Sequence, residues 1–160
     1  MLRLSQAEAR NDREALAEAH RELAGIYQKQ NRFPQARDHY LQSLAHLDST
    51  RQQESWATIH QELGDAYNRI GSFEEALNAY DRVRPYFQAQ KDFNRLGRLG
   101  GKIGFTYINM GESARAKEKL DEAMGFFDRA APVDSTSLAD LFITFGILSG
   151  YPYSPGPYSQ

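Results

Sequence analysis

No cysteine occurs among the 160 residues, which excludes a disulfide framework and a thiolate metal site. An excess of one charge is missing as well. The 19 basic and 21 acidic residues leave a formal charge of −2 and are dispersed along the chain, so no block of lysine and arginine stands ready to neutralise a phosphate backbone. Nucleic acid is not an expected partner. Long hydrophobic runs are absent too: the most apolar stretch, LFITFGILSG at 141–150, has about half of the ~20 residues that a membrane-spanning helix needs. It reads as a buried helix, and no membrane partner is expected. The opening MLRLSQAEAR turns polar by Ser5 and holds no apolar segment of signal-peptide length. Export is therefore not expected, and a chain without cysteine fits the reducing cytoplasm. What remains, 41% hydrophobic and 25% charged residues, is ordinary composition for one packed domain.

The chain repeats itself. HRELAGIYQKQNRFPQARDHY (20–40), HQELGDAYNRIGSFEEALNAY (60–80) and GGKIGFTYINMGESARAKEKL (100–120) align at a constant offset of 40 residues. Leu23, Leu63 and Ile103 correspond, as do Ala24, Gly64 and Gly104. Tyr27, Tyr67 and Tyr107 follow, then Ala36, Ala76 and Ala116, and finally Tyr40, Tyr80 and Leu120. Within a unit, positions 23, 24 and 27 are three and four residues apart and share one helix face, and positions 36 and 40 share the face of a second helix. Between them lie QNRF, IGSF and MGES, short turns of the kind that join antiparallel helices. Each unit is a helical hairpin whose small residues permit close backbone approach and whose tyrosine fills the adjoining space. Such hairpins cannot bury their apolar faces alone and must stack.

These residues resemble the tetratricopeptide repeat, W-x2-L-G-x2-Y followed by A-x3-F and a proline. The second unit is nearest, with His60-x2-Leu63-Gly64-x2-Tyr67 and Ala76-x3-Tyr80. Histidine or glycine stands where the family has tryptophan, Leu120 replaces an aromatic residue, and the family's proline is absent. The unit of 40 residues is similar to the long-repeat branch of the family. The resemblance implies an all-α fold, a right-handed superhelix of antiparallel hairpins with about seven helices. One domain over 1–150 is expected, with repeats at about 17–50, 57–90 and 97–131 and a terminal capping helix at 135–149. The amino-terminal segment aligns with 41–50 and reads as the stub of an earlier second helix. YPYSPGPYSQ, 151–160, reads as a flexible Pro/Tyr/Ser-rich tail that could occupy a groove as a ligand mimic.

Five glycines and a lysine in GRLGGKIGFTYINMGES (97–113) invite comparison with a phosphate-cradling loop. The glycine spacing differs from G-x-x-x-x-G-K-[ST], and Ile103 follows Lys102 where that motif has a hydroxyl residue. The stretch is the third repeat. Its cost remains to be explained, because each glycine within a helix disfavours it by about 1 kcal/mol relative to alanine. Either close packing or a ligand against the backbone must offset this.

No convergent catalytic constellation is present, so no enzyme activity, cofactor or metal is expected. His20 and His60 hold equivalent repeat positions and read as structural residues, while His39 and His46, seven apart, lack an evident third ligand. Trp56 is expected to pack on an adjoining helix. In the family the first helix of each unit lines a concave groove. Carried over, this gives Arg21 and Gln28 from the first unit, with Gly25 and Lys29 beside them. The second gives Gln61, Glu62, Asp65, Asn68 and Arg69, and the third Arg98, Lys102, Phe105 and Asn109, with Ile108 as a further apolar point. Gly25 and Glu62 stand where a carboxylate clamp would need asparagine. The expected function is therefore a non-catalytic adaptor that binds an extended peptide or a partner helix. The alternative is a self-associating module, a homo-oligomer through its terminal helices, or a fragment of a longer regulatory array.

Overall fold

The computed structural model describes residues 2–150, with side chains from Arg3 onward, so the expectation for 151–160 lies outside the described residues. Eight α-helices and no strand occur among them: α1 (Leu2–Arg10), α2 (Arg13–Lys29), α3 (Phe33–His46), α4 (Gln53–Ile70), α5 (Phe73–Gln90), α6 (Phe93–Asn109), α7 (Ser113–Phe127) and α8 (Ser135–Ser149). Three hairpins and a terminal helix account for the seven expected. The eighth is α1, the segment read as a stub of a second helix, and it packs on α2.

The 40-residue period reappears in the helix starts. First helices begin at Arg13, Gln53 and Phe93, and second helices at Phe33, Phe73 and Ser113. The turns recur in step, with left-handed backbone at Asn31 (φ 58°), Gly71 (φ 88°) and Gly111 (φ 77°). After each, the next amide donates back to the tyrosine carbonyl of the first helix: Arg32 to Tyr27 at 2.9 Å, Ser72 to Tyr67 at 3.0 Å and Glu112 to Tyr107 at 2.9 Å. This is the closure that ends a helix at a left-handed residue and satisfies an otherwise orphaned carbonyl. A second set of turns precedes the first helices. Asn11 (φ 51°) and Lys91 (φ 53°) lead into Asp12 and Asp92, whose carboxylates accept from the amides of Ala15 and Arg95, each such cap contributing roughly 1 kcal/mol. These caps start α2 and α6 four residues ahead of the unit boundaries at 17 and 97.

Contacts group the chain into two compact units, Met1–Val83 and Arg84–Gln160. In the first, α1 packs on α2, α2 on α3 and α3 on α4. Ala24, Ala36, Tyr40, Ile59, Leu63 and Ala66 are buried together, with Tyr27 and Tyr67 packed against them. Tyr40 is 2% exposed and Tyr80 0%, and each ring removed from water stabilises the unit by about 1.5–3 kcal/mol. The Tyr80 ring occupies the space that a side chain at residue 64 would need: a Cβ on Gly64 would lie 2.4 Å from Tyr80 Cε1.

The second unit explains the glycines. Gly97, Gly100 and Gly104 form one stripe of α6, and a Cβ at these places would meet Phe127 at 2.7 Å, Ala123 Cβ at 2.9 Å and Leu120 Cδ2 at 2.5 Å. All three partners lie on α7, so packing of α7, rather than a ligand, fills the space beside the glycine backbone. α8 packs on both α6 and α7. Asn94 fixes its start, donating to the Pro132 carbonyl and accepting from the Asp134 amide, both at 2.8 Å.

Two details of α8 depart from its alignment with the repeats. It begins at Ser135, two residues beyond the 133 that the period places, and it turns Leu138, Leu141, Phe145 and Leu148 toward the unit's core. Ile143, aligned with the 2%-exposed Ile103, is 40% exposed, and Phe142 and Ile147 are exposed as well. The cap at Asp134 therefore sets a new rotation for this helix and ends the register.

Candidate functional site

On the first unit, α2 and α4 bring Arg21 beside Glu62. Nε of Arg21 donates to a Glu62 carboxylate oxygen at 3.4 Å, and its Nη1 lies 3.9 Å from Glu18. Burial works against the cation, but the bond and charge of Glu62 outweigh it, so the Arg21 pKa lies above its ordinary value. The pair borders an open depression of about 510 Å³ whose walls include Gly25, Ile26, Lys29 and Tyr40. Beside Gly25 no atom lies within 4 Å of the place a Cβ would take, and Ile26 is half exposed. Four of the residues read from sequence as groove-facing, Arg21, Gly25, Lys29 and Glu62, thus meet in one place. Ile26 was not recognised as a member, because its contribution depends on how neighbouring helices pack.

Other expected groove residues serve the hairpins themselves. Gln28 accepts the Tyr40 hydroxyl and Asp65 the Tyr80 hydroxyl, each at 2.7 Å. Burial, joined by the nearby carboxylates, raises both phenol pKa values, so these hydroxyls remain donors. Asn68 also hydrogen bonds to the Tyr80 hydroxyl. The Arg69 guanidinium lies 5.1 Å from the centre of the Phe33 ring, a cation-π distance. Gln61 is partly buried on α4.

In the second unit Arg98 and Asn109 are exposed on α6, while Lys102 and Phe105 are partly buried. The Ser137 hydroxyl and amide, followed by the Thr136 amide and last by the charge of Arg98, hold the Asp134 carboxyl below its usual range. Ile108 packs against the Leu120–Phe127 cluster, which makes it part of the core edge.

The histidines group in a way the sequence did not indicate. His20 on α2 and His39 on α3 place their Nδ1 atoms 3.0 Å apart, and the His46 ring stacks on His20 with centroids 5.9 Å apart. Trp56 lies within α4 and meets the His60 ring edge-on at 4.6 Å. Among the described residues no three histidine or carboxylate side chains are placed to hold a metal ion, and no helix is long and apolar enough to cross a membrane.

Residues 15–89 match the family model for the tetratricopeptide repeat. This segment carries tetratricopeptide repeats. The matched segment spans α2 to nearly the end of α5, the two hairpins that retain tyrosine at both repeat positions. No curated protein matches the chain. Tetratricopeptide repeats are in general protein-interaction scaffolds, typically without catalysis of their own.

Proposed function

We propose that the chain is a non-catalytic adaptor of the long-repeat type that holds an extended peptide along the first helices of its repeats. The depression bounded by Arg21, Gly25, Ile26, Lys29, Tyr40 and Glu62 carries this reading. Its opposed charges and half-exposed isoleucine suit a peptide of mixed charge with an apolar side chain. Lys29 offers a cation to an acidic point, Glu62 and Arg21 can exchange partners with incoming groups, and the space beside Gly25 accepts a side chain. Arg98, Lys102, Phe105 and Asn109 would supply further contacts from α6. The surroundings this reading assigns to the chain are those of the cytoplasm.

Arrays of immobilised peptides that vary in acidic and apolar content test the reading on the full chain. Peptides selected this way should bind at least about tenfold more weakly to Gly25→Phe, which fills the depression on an exposed face, a loss of about 1.4 kcal/mol. Arg98→Glu with Lys102→Glu tests the α6 contacts separately. Undiminished binding in both variants, with helicity retained, would remove the groove assignment.

A second reading, self-association, is favoured by one observation: Phe142, Ile143 and Ile147 are exposed together on α8. Sedimentation of the full chain at rising concentration should then show dimers that Ile143→Glu abolishes, whereas a monomer throughout would dispose of it.

A further inference from the structure

The three histidines of the first hairpin have a geometry that depends on their protonation. Each neutral imidazole carries one N–H and one acceptor nitrogen, whereas the cation has two donors and no acceptor. With Nδ1 atoms of His20 and His39 3.0 Å apart, one ring must donate and the other accept. A first proton is tolerated, because an imidazolium can donate to a neutral ring. A second proton turns the contact into two donors facing each other, and adds repulsion to the loss of the bond. The His46 ring lies parallel to His20 with centroids 5.9 Å apart.

Few anions offset this charge. Glu8 from α1 acts favourably on His20, and Asp38 from α3 on His39. Glu8 is exposed, and Asp38 already accepts two bonds from Arg37 at 2.7 and 2.8 Å. The Tyr27 ring stacks on His39 with centroids 5.3 Å apart. The pair also spans the joint between α2 and α3, whose other polar links include the Tyr40–Gln28 bond and the buried Ser43 hydroxyl donating to the Ala17 carbonyl at 2.6 Å.

We propose that His20 and His39, with the His46 ring stacked beside them, form an acid-released latch on the first hairpin: the neutral pair holds α2 against α3, and a second proton on it opens the joint. Burial, followed for His20 by the charges of its histidine neighbours, lowers the pKa of both members of the pair. The closed form thus resists protonation and the open form accepts it.

Peptide-resolved hydrogen exchange on the full chain, corrected for the intrinsic pH dependence, tests the latch between about pH 7.5 and about pH 5. Opening of Arg13–His46 should increase by up to about tenfold per pH unit for each proton taken up, with no matching change in Phe93–Phe127. His39→Gln keeps a hydrogen-bonding group without the charge and should flatten the excess of this response over that of Gln53–Ile70; His60→Gln, on α4, should lower the response of both segments together and leave that excess in place. A full excess in His39→Gln, or its loss in His60→Gln, would overturn the proposal. Imidazole NMR titration of the unmutated chain gives a decision independent of any variant. His20 and His39 should take up the second proton together with the loss of protection in α2 and α3. Protonation of both rings with that protection intact would also overturn it.

Discussion

At Gly64 and Gly25 the same substitution should act in opposite directions. Both lie in helices, where replacement by alanine gains about 1 kcal/mol of helix propensity. At Gly25 the new methyl group meets nothing within 4 Å, so Gly25→Ala should raise stability by about 0.5–1 kcal/mol. At Gly64 it would lie 2.4 Å from a ring that is itself fully buried and tied to Asp65. Gly64→Ala must displace that ring and should destabilise the chain by about 1–3 kcal/mol. Chemical denaturation of the two variants beside the unmutated chain checks both signs; a stabilised Gly64→Ala would mean that the Tyr80 contact is absent. Much of this pairing was legible in the sequence, since small residues at 24, 64 and 104 and large ones at 40, 80 and 120 recur in step. The distinction between Gly25 and Gly64 was not, because it depends on which helix covers which face. The histidine cluster was hidden for the same reason: His20 and His39 lie on different helices, and only their packing brings the rings together.

Among the elements, the two that meet along the glycine stripe and the one that follows them illustrate two kinds of control. α6 and α7 are joined by shape, with three glycines opposite Leu120, Ala123 and Phe127. Gly104→Leu should therefore separate this hairpin, read as lost exchange protection across Ser113–Phe127 that exceeds any change in Arg13–His46. α8 is instead placed by its polar start. The Asp134 carboxylate accepts from the amides of Thr136 and Ser137 at 3.2 and 3.3 Å and from the Ser137 hydroxyl at 2.5 Å. Asp134→Ala should cost about 1 kcal/mol, with the first loss of protection confined to Ser135–Ser149; an unchanged exchange pattern would show that the Asn94 contacts suffice to hold the helix. The aspartate cap and an apolar helix after it, with Leu138, Leu141 and Phe145 on its inner face, could be read from sequence. The outward turn of Phe142, Ile143 and Ile147 could not, because the 40-residue period aligns Ile143 and Ile147 with Ile103 and Tyr107 and the helix begins two residues late.

Across the whole molecule the ionisable groups are unevenly shared, and this sets the pH dependence. All four histidines precede residue 83, and none lies between 84 and 160. Burial lowers the pKa of His60 from 6.5 to about 4, with Arg82 acting in the same sense, and its buried Nδ1 has no hydrogen-bond partner. A group with a folded pKa below its unfolded value binds fewer protons in the folded state. Its contribution is complete above pH 6.5 and disappears as the pH falls through the folded value. For His60 that contribution is on the order of 3 kcal/mol, lost between pH 6.5 and about 4. His20 and His39 shift in the same direction and extend the loss. Trp56 is the one tryptophan of the chain and belongs to Met1–Val83, so its fluorescence follows the first unit while far-ultraviolet circular dichroism follows every helix. On acidification below pH 6.5 the tryptophan signal should change first and the dichroism should fall only in part, leaving the helices of the second unit. His60→Phe should move the tryptophan transition toward lower pH, because it removes the proton acceptor and keeps an aromatic ring beside Trp56. Coincident transitions by both probes, unmoved in the variant, would locate the acid sensitivity in carboxylates, which each unit contains.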